Sequence, residues 1–244
     1  MLMLKRMFAV LTATVALVMV SGIAFASIPS HPKWKSSAYE GTWNHDGFLF
    51  QNDMWSCPQA ACGKQTFWAN SLKRWGAESN MAKGNTAVLT YPDVGKLFGD
   101  KPVSHFRMIR TGFTESMPTN HNGLSAEAAN DVWFDHWNIE MMIWVDNVGR
   151  SLAGGTRIGK ATIFGQHFNV WKYGSSEFIF DLAHNETSGV THILASVDWL
   201  IKHGYVPAKA TLTEVEFGWE IASTNGQPRD FSVSNFWMHY RLPA

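Results

Sequence analysis

From about residue 40 to the C-terminus, apolar and polar positions alternate in short runs with a period of two. That is the period of strands whose side chains point to opposite faces of a sheet. Trp43 and Phe48 to Phe50 flank an Asp46-Gly47 pair, which predicts a hairpin. Further strand runs follow at Thr66 to Trp75, Ala87 to Tyr91, Ser104 to Ile109, Ala129 to Phe134, Asn138 to Val145, Ala161 to Phe164, Phe168 to Tyr173, Phe178 to Leu182, Thr211 to Ile221 and Phe231 to Tyr240. So many strands in one chain of this size require two packed sheets, an all-β sandwich. No repeat, linker or low-complexity stretch interrupts them, so one domain over 27–244 is expected. A single segment breaks the period: Val190, Ile193, Leu194, Val197, Leu200 and Ile201 fall at helical spacing, with Ser188 as N-cap and Gly204 as stop. This predicts one helix, packed on the sandwich and carrying no chemistry.

The first 26 residues read differently. Lys5 and Arg6 precede an apolar run from Met7 to Val20, and Ala24-Phe25-Ala26 has the small residues at alternate positions that a signal peptidase reads. The run is shorter than the about 20 residues that a bilayer core demands, so a cleaved leader over 1–26 is expected, with no membrane partner once it is removed. The mature domain is then secreted, extracellular or periplasmic. Its removal leaves 18 basic against 20 acidic residues. In that oxidising setting Cys57 and Cys62, with four residues between them, are expected to form a local disulfide. His136, His167, His184, His192, His203 and His239 are too scattered for a ligand set, so neither metal nor cofactor is expected.

Composition narrows the function. Charged residues make up only 16% and basic and acidic ones balance, so nothing resembles the basic stripe of a nucleic-acid binder. The chain holds 12 Trp, more than a core of this size needs, which points to aromatic platforms for the apolar faces of sugar rings.

Two strands carry the candidate chemistry. In Asn138 to Val145, Ile139, Met141, Ile143 and Val145 face one way as core, while Asn138, Glu140, Met142 and Trp144 face the other. A carboxylate between an amide, a thioether and an indole belongs to neither a core nor a solvent face, and it is tolerated mainly where it is used. In Glu214 to Ile221, Val215, Phe217, Trp219 and Ile221 share one face and Glu214, Glu216, Gly218 and Glu220 the other. Periodicity alone reads those acids as a solvated face. Gly218 shifts that reading, because a missing side chain in a strand marks a close approach to the backbone. Two carboxyls facing one aromatic cleft suit glycosidic cleavage, one ionised at the anomeric carbon and one protonated at the leaving oxygen. Two other classes also fit exposed Trp on a sandwich: a non-catalytic glycan-binding module, and a family 11-like xylanase.

Glu140-Met141-Met142-Ile143-Trp144 resembles the nucleophile strand of glycoside hydrolase family 12, whose pattern is Glu-x-Met-Ile-Trp, and Phe217-Gly218-Trp219-Glu220 resembles its acid/base strand, Phe-Gly-x-Glu. The resemblance extends through Asn52-Asp53-Met54-Trp55, Tyr91-Pro92, Ser116-Met117-Pro118-Thr119, Asn130-Asp131-Val132-Trp133 and the glycine-rich stretch Gly155 to Gly159. It implies a jelly-roll of two curved antiparallel sheets and a retaining endo-β-1,4-glucanase acting, as a monomer, on cellulose-like, mixed-linkage or xyloglucan polymers. It further implies Glu140 as nucleophile, Glu220 as general acid/base and Asp131 as the acid that hydrogen-bonds the nucleophile. Trp55, with Asn52 and Asp53, would hold sugar on the non-reducing side, and Met142 and Trp144 would line the cleft. Asp53 stands where the family pattern has Asn, Arg157 where it usually has Pro, and the segment between Asp131 and Glu140 is short.

Overall fold

The computed structural model describes residues 28–55, 57 and 62–243, so the expected leader over 1–26 lies outside the described residues. In chain order the strands are β1 (Trp34–Ser36), β2 (Thr42–His45), β3 (Phe48–Gln51), β4 (Gln65–Ser71), β5 (Arg74–Ser79), β6 (Asp93–Pro102), β7 (Met108–Ser116), β8 (Leu124–Phe134), β9 (Ile139–Val148), β10 (Thr156–Ile163), β11 (Gln166–Tyr173), β12 (Glu177–Leu182), β13 (Ser188–Thr191), β14 (Thr211–Thr224) and β15 (Arg229–Arg241). One helix, α1 (Ile193–Lys202), separates β13 from β14. Six strands form one sheet in the order β1-β4-β5-β15-β7-β13, and nine form the other in the order β10-β11-β12-β9-β8-β14-β6-β3-β2. Neighbours run antiparallel except β12 beside β9.

The hairpin expected at Asp46-Gly47 is β2–β3: both residues take positive φ, +52° and +76°, as a two-residue turn matching strand twist requires. Several expectations need correction. The run Thr66 to Trp75 is two strands, β4 and β5, which reverse at Leu72-Lys73 and pair Ala69 with Trp75. Leu72 packs against the core, so the apolar rhythm passes through the turn unbroken. Ala87 to Tyr91 forms only one bridge, Thr90 to Ile221, because the Tyr91 N–H is spent on the Asp53 carbonyl. Ser104 to Ile109 begins as a 3-10 turn, Val103–His105, before β7. Ser188 is not a helix cap. It opens β13, which closes the edge of the six-stranded sheet against β7, and the helix starts at Ile193 behind His192, which makes no side-chain capping bond. Gly204 ends it as expected, at φ +75°.

Between the sheets lies the core expected from the two alternating strands. Met141, Ile143 and Val145 of β9 and Val215, Phe217, Trp219 and Ile221 of β14 are all buried there. Phe217 stacks on Phe113 and Phe236 of the facing sheet at 5.2 and 5.4 Å, and Trp219 lies 5.1 Å from Trp75. Each such side chain contributes about 1.5–3 kcal/mol by burial, so these inward faces lock the register of β9 and β14. A slip by one residue would bury Glu140 and Glu220 in the core. The opposite faces are thereby committed to the outside of the nine-stranded sheet.

Candidate active site

That outer face holds a cleft of about 820 Å³. Strand order places β8 between β9 and β14, so Glu140 and Glu220 stand on strands flanking β8 and line the same cleft. Strand β8 supplies what lies between them: Trp133 is directly opposite Glu140, Asp131 opposite Glu216, and Glu127 opposite Glu220. Asp131 lines the cleft from β8 two residues before Trp133, and Glu177 of β12 is the register partner of Glu140 on the other side. Trp55, Tyr91, Trp133, Trp137, Trp144 and Tyr173 form the aromatic lining.

The cleft is strongly acidic. Burial pushes the Glu140 carboxyl up to about 8, with Glu177 and Glu220 adding repulsion, while the hydrogen bond from Asp131 pulls the other way. Burial likewise raises Asp53 to about 6, against a hydrogen bond from the Trp55 N–H, and Glu214 to about 7. Asp131, Glu216 and Asp93 are pushed well above the carboxylate range by burial first and then by neighbouring acids of the cleft. Arg150 is the one basic residue among the described residues that line the cleft.

Raised carboxyl pKa values tie stability to pH with a definite sign. Groups that ionise near 4.5 when unfolded and near 7 to 8 when folded bind more protons in the folded state across that window. Their stabilisation is complete below the unfolded pKa and is lost as pH rises through the folded one. Each tenfold gain in proton affinity on folding corresponds to about 1.4 kcal/mol, so Tm by calorimetry is expected to fall by at least about 5 °C between pH 5 and pH 8. A flat or rising Tm over that interval would mean that these carboxyls are already ionised in the fold.

The sequence-derived site residues divide. Glu140, Glu220, Asp131, Trp55, Asp53 and Trp144 line the cleft. Asn52 does not: it is 0% exposed, and its amide donates to the Ala38 carbonyl and accepts from Gln65, so it ties down the chain before Trp55. Met142 is buried with Ala129, Trp144 and Ile179, a small apolar layer beneath the cleft surface. Asn138 falls in the β8–β9 turn, outside the strand. Arg157 bonds Asn169 across β10 and β11 and is not part of the cleft lining. The close approach expected at Gly218 is made by the protein itself: an added Cβ would lie 2.5 Å from the Pro92 carbonyl oxygen and 2.8 Å from the Asp93 Cβ. Cys57 and Cys62 are joined as a disulfide, with Cα atoms 5.5 Å apart. Among the described residues no cluster of three or more His, Cys, Asp or Glu has the geometry to hold a metal ion.

Residues missed from the sequence are Glu127, Arg150, Glu177, Tyr173 and Trp137. Glu127 and Glu177 continue the cleft-facing rhythm of Asp131 and Ile179 one step beyond the runs recognised. Arg150 sits in a loop and has no periodic signal. Trp137 is 52% exposed at the tip of a turn in which Asp135, His136 and Trp137 all take positive φ. That unfavourable backbone is held by Asp135 accepting from Thr211 and by the contact of His136 Nδ1 with Asp100, 2.8 Å.

The model of glycosyl hydrolase family 12 matches residues 46–239. The chain belongs to this family. The match runs from the β2–β3 turn into β15 and takes in every cleft-lining acid, which sets aside both the family 11-like and the non-catalytic readings. Endoglucanase A of Aspergillus kawachii (strain NBRC 4308) is 26% identical over 197 residues, 71% of this chain and 80% of that protein. The xyloglucanase domain of NopAA, a type three effector from Sinorhizobium fredii solved with cellobiose, superposes with a TM-score of 0.75 at 23% identity, covering 86% of this chain and all of that one. A family 12 xyloglucanase from Bacillus licheniformis solved with ligand gives 0.73 at 21%, covering 85% and 100%. The fold of this family 12 glycoside hydrolase is thus the jelly-roll sandwich that the resemblance implied.

Proposed function

We propose that this family 12 hydrolase is a secreted, retaining endo-β-1,4-glucanase that cuts within cellulose-like, mixed-linkage or xyloglucan chains by a two-Glu double displacement. The observation that carries the reading is the placement of Glu140 and Glu220 on strands flanking β8, in one open, Trp-lined cleft, with Asp131 of β8 lining the same cleft. The names of the similar proteins, endoglucanase and xyloglucanase, support the substrate class. The basic start, apolar run and Ala24-Phe25-Ala26 triplet support export, as does the Cys57–Cys62 disulfide.

In the first step the Glu140 carboxylate attacks the anomeric carbon while Glu220 gives its proton to the departing glycosidic oxygen. A glycosyl ester on Glu140 and a free chain end result. A proton on the Asp131 carboxyl, donated towards Glu140, would favour the ionised form of the nucleophile. In the second step Glu220, now ionised, takes a proton from water, which attacks the same carbon and releases Glu140. Two inversions leave the anomeric configuration unchanged. Proton NMR during hydrolysis of a cello-oligosaccharide is therefore expected to show the β-anomer first, with α appearing only by mutarotation. Initial α-anomer would reject the double displacement.

A further inference from the structure

We infer that Arg150 and Glu127 are positioning residues for Glu220: one guanidinium clasps both carboxyls, aligns Glu220 with the leaving oxygen and offsets the charge left when its proton departs. The inference rests on the reading of Glu220 as the acid/base group.

The clasp is built into the fold. Glu127 of β8 and Glu220 of β14 are register partners, so two acids stand directly opposite each other, an arrangement that is destabilising when both are charged. Arg150, in the turn after β9, reaches both: Nε donates to Glu127 Oε2 at 2.7 Å and Nη2 to Glu220 Oε2 at 3.3 Å. Its third donor, Nη1, is spent on the Thr86 carbonyl at 3.0 Å, its backbone N–H donates to Asn147 Oδ1, and its guanidinium lies 5.8 Å from the Trp144 ring. The side chain is therefore fixed from several directions, which a screened surface pair is not. Glu127 is 0% exposed with Oε1 unpartnered, and burial, reinforced by the neighbouring Glu220, holds its carboxyl well above the usual range.

Arg150 is the only basic residue of the described cleft lining, and its Nη2 is already on Glu220 before any proton moves. When Glu220 passes its proton to the leaving oxygen, the negative charge left on it forms beside a guanidinium that is already in contact. The other ionisable groups that face Glu220 are Asp131 on β8, Glu140 on β9, Glu177 on β12 and Tyr91 beside β6, all acids, so none can replace Arg150. The contact engages Oε2 of Glu220, and Oε1 is the oxygen that would carry the proton to the substrate.

The test measures kcat/KM against pH for Arg150→Met and Arg150→Lys in the full chain, on a cello-oligosaccharide and on an aryl β-cellobioside with a good leaving group. Arg150→Met is expected to lower oligosaccharide hydrolysis about 10- to 100-fold, as misdirected general acid catalysis would. The activated substrate should fall less than about 3-fold, since it leaves without protonation. The alkaline limb on the oligosaccharide should move to higher pH, because the carboxylate has lost its counter-ion. Arg150→Lys should return that limb towards its original place by restoring charge, while recovering only part of the rate, since an ammonium cannot reproduce the two-pronged grip. Both substrates are assayed on one preparation, so their ratio is independent of the folded fraction. Equal losses on both with an unmoved alkaline limb would reduce Arg150 to packing and overturn the inference. Glu127→Gln should move the limb less than Arg150→Met, and a larger movement would show that Glu127 holds the negative charge. Glu220→Ala on the same pair separates the two levels. If it lacks leaving-group dependence, the acid/base reading itself fails; if it has it and Arg150→Met does not, only the clasp fails.

Discussion

Glu140→Gln is expected to abolish at least about 10³-fold of kcat/KM on every glucan and on activated aryl glycosides alike, because the amide cannot form the glycosyl ester on which both steps depend. The loss should come without unfolding. The amide keeps the volume of the side chain at the end of β9, and it removes one of the carboxyls that repel Glu177 and Glu220, so Tm should equal or exceed that of the parent. Incubating the parent with a 2-deoxy-2-fluoro cellobioside should add one glycosyl mass to the peptide that contains Glu140, and the variant should stay unlabelled. Near-parental turnover, or a label on another acid, would remove Glu140 from the nucleophile's role. Asp131→Asn should do less harm, about 10- to 100-fold, since Asp131 holds the nucleophile and does not attack.

For Glu220→Ala the expected signature is selective. Hydrolysis of unactivated glucan should fall about 10²- to 10⁴-fold, the range that a positioned general acid supplies. Aryl glycosides with good leaving groups should form the glycosyl-enzyme at nearly the parental rate and then stall, because no base remains to activate water. Added azide, which needs no base, should restore their turnover and yield the β-glycosyl azide. Glu214 and Glu216 share the strand face and are the competitors. Glu216 accepts from Gln51, and burial, with Glu214 and Asp53 adding repulsion, pushes its carboxyl well above the usual range. Leaving-group dependence and azide rescue in Glu216→Ala, with neither in Glu220→Ala, would transfer the role to Glu216.

How much of this was legible depended on whether a residue belonged to a periodic run. The β9 and β14 alternations could be read directly, since a strand buried on one face must place apolar residues at every second position, and their cleft faces followed by exclusion. That exposed Glu140 as out of keeping with core or solvent, whereas Glu214, Glu216 and Glu220 read by period alone as a solvated face. The helix was legible by the same logic at its buried stripe, Ile193, Val197 and Leu200. It was misplaced at its start, where Ser188 looks like a cap only until β7 offers its edge to β13. Asn52 and Met142 carried family patterns that locate a segment but not the direction in which a side chain points.

The sequence by itself determined which face of β9 and of β14 is core, the β2–β3 turn and the Cys57–Cys62 pairing, because each depends on spacing within a few residues or on one local rule of backbone geometry. Only the tertiary structure decided that β8 lies between β9 and β14, that Gly218 makes room for Asp93 of its own chain, and that Arg150 joins Glu127 to Glu220. Those are meetings between residues 23 to 125 positions apart. Strand order follows from the packing of whole sheets against each other, and neighbouring residues along the chain carry no record of it.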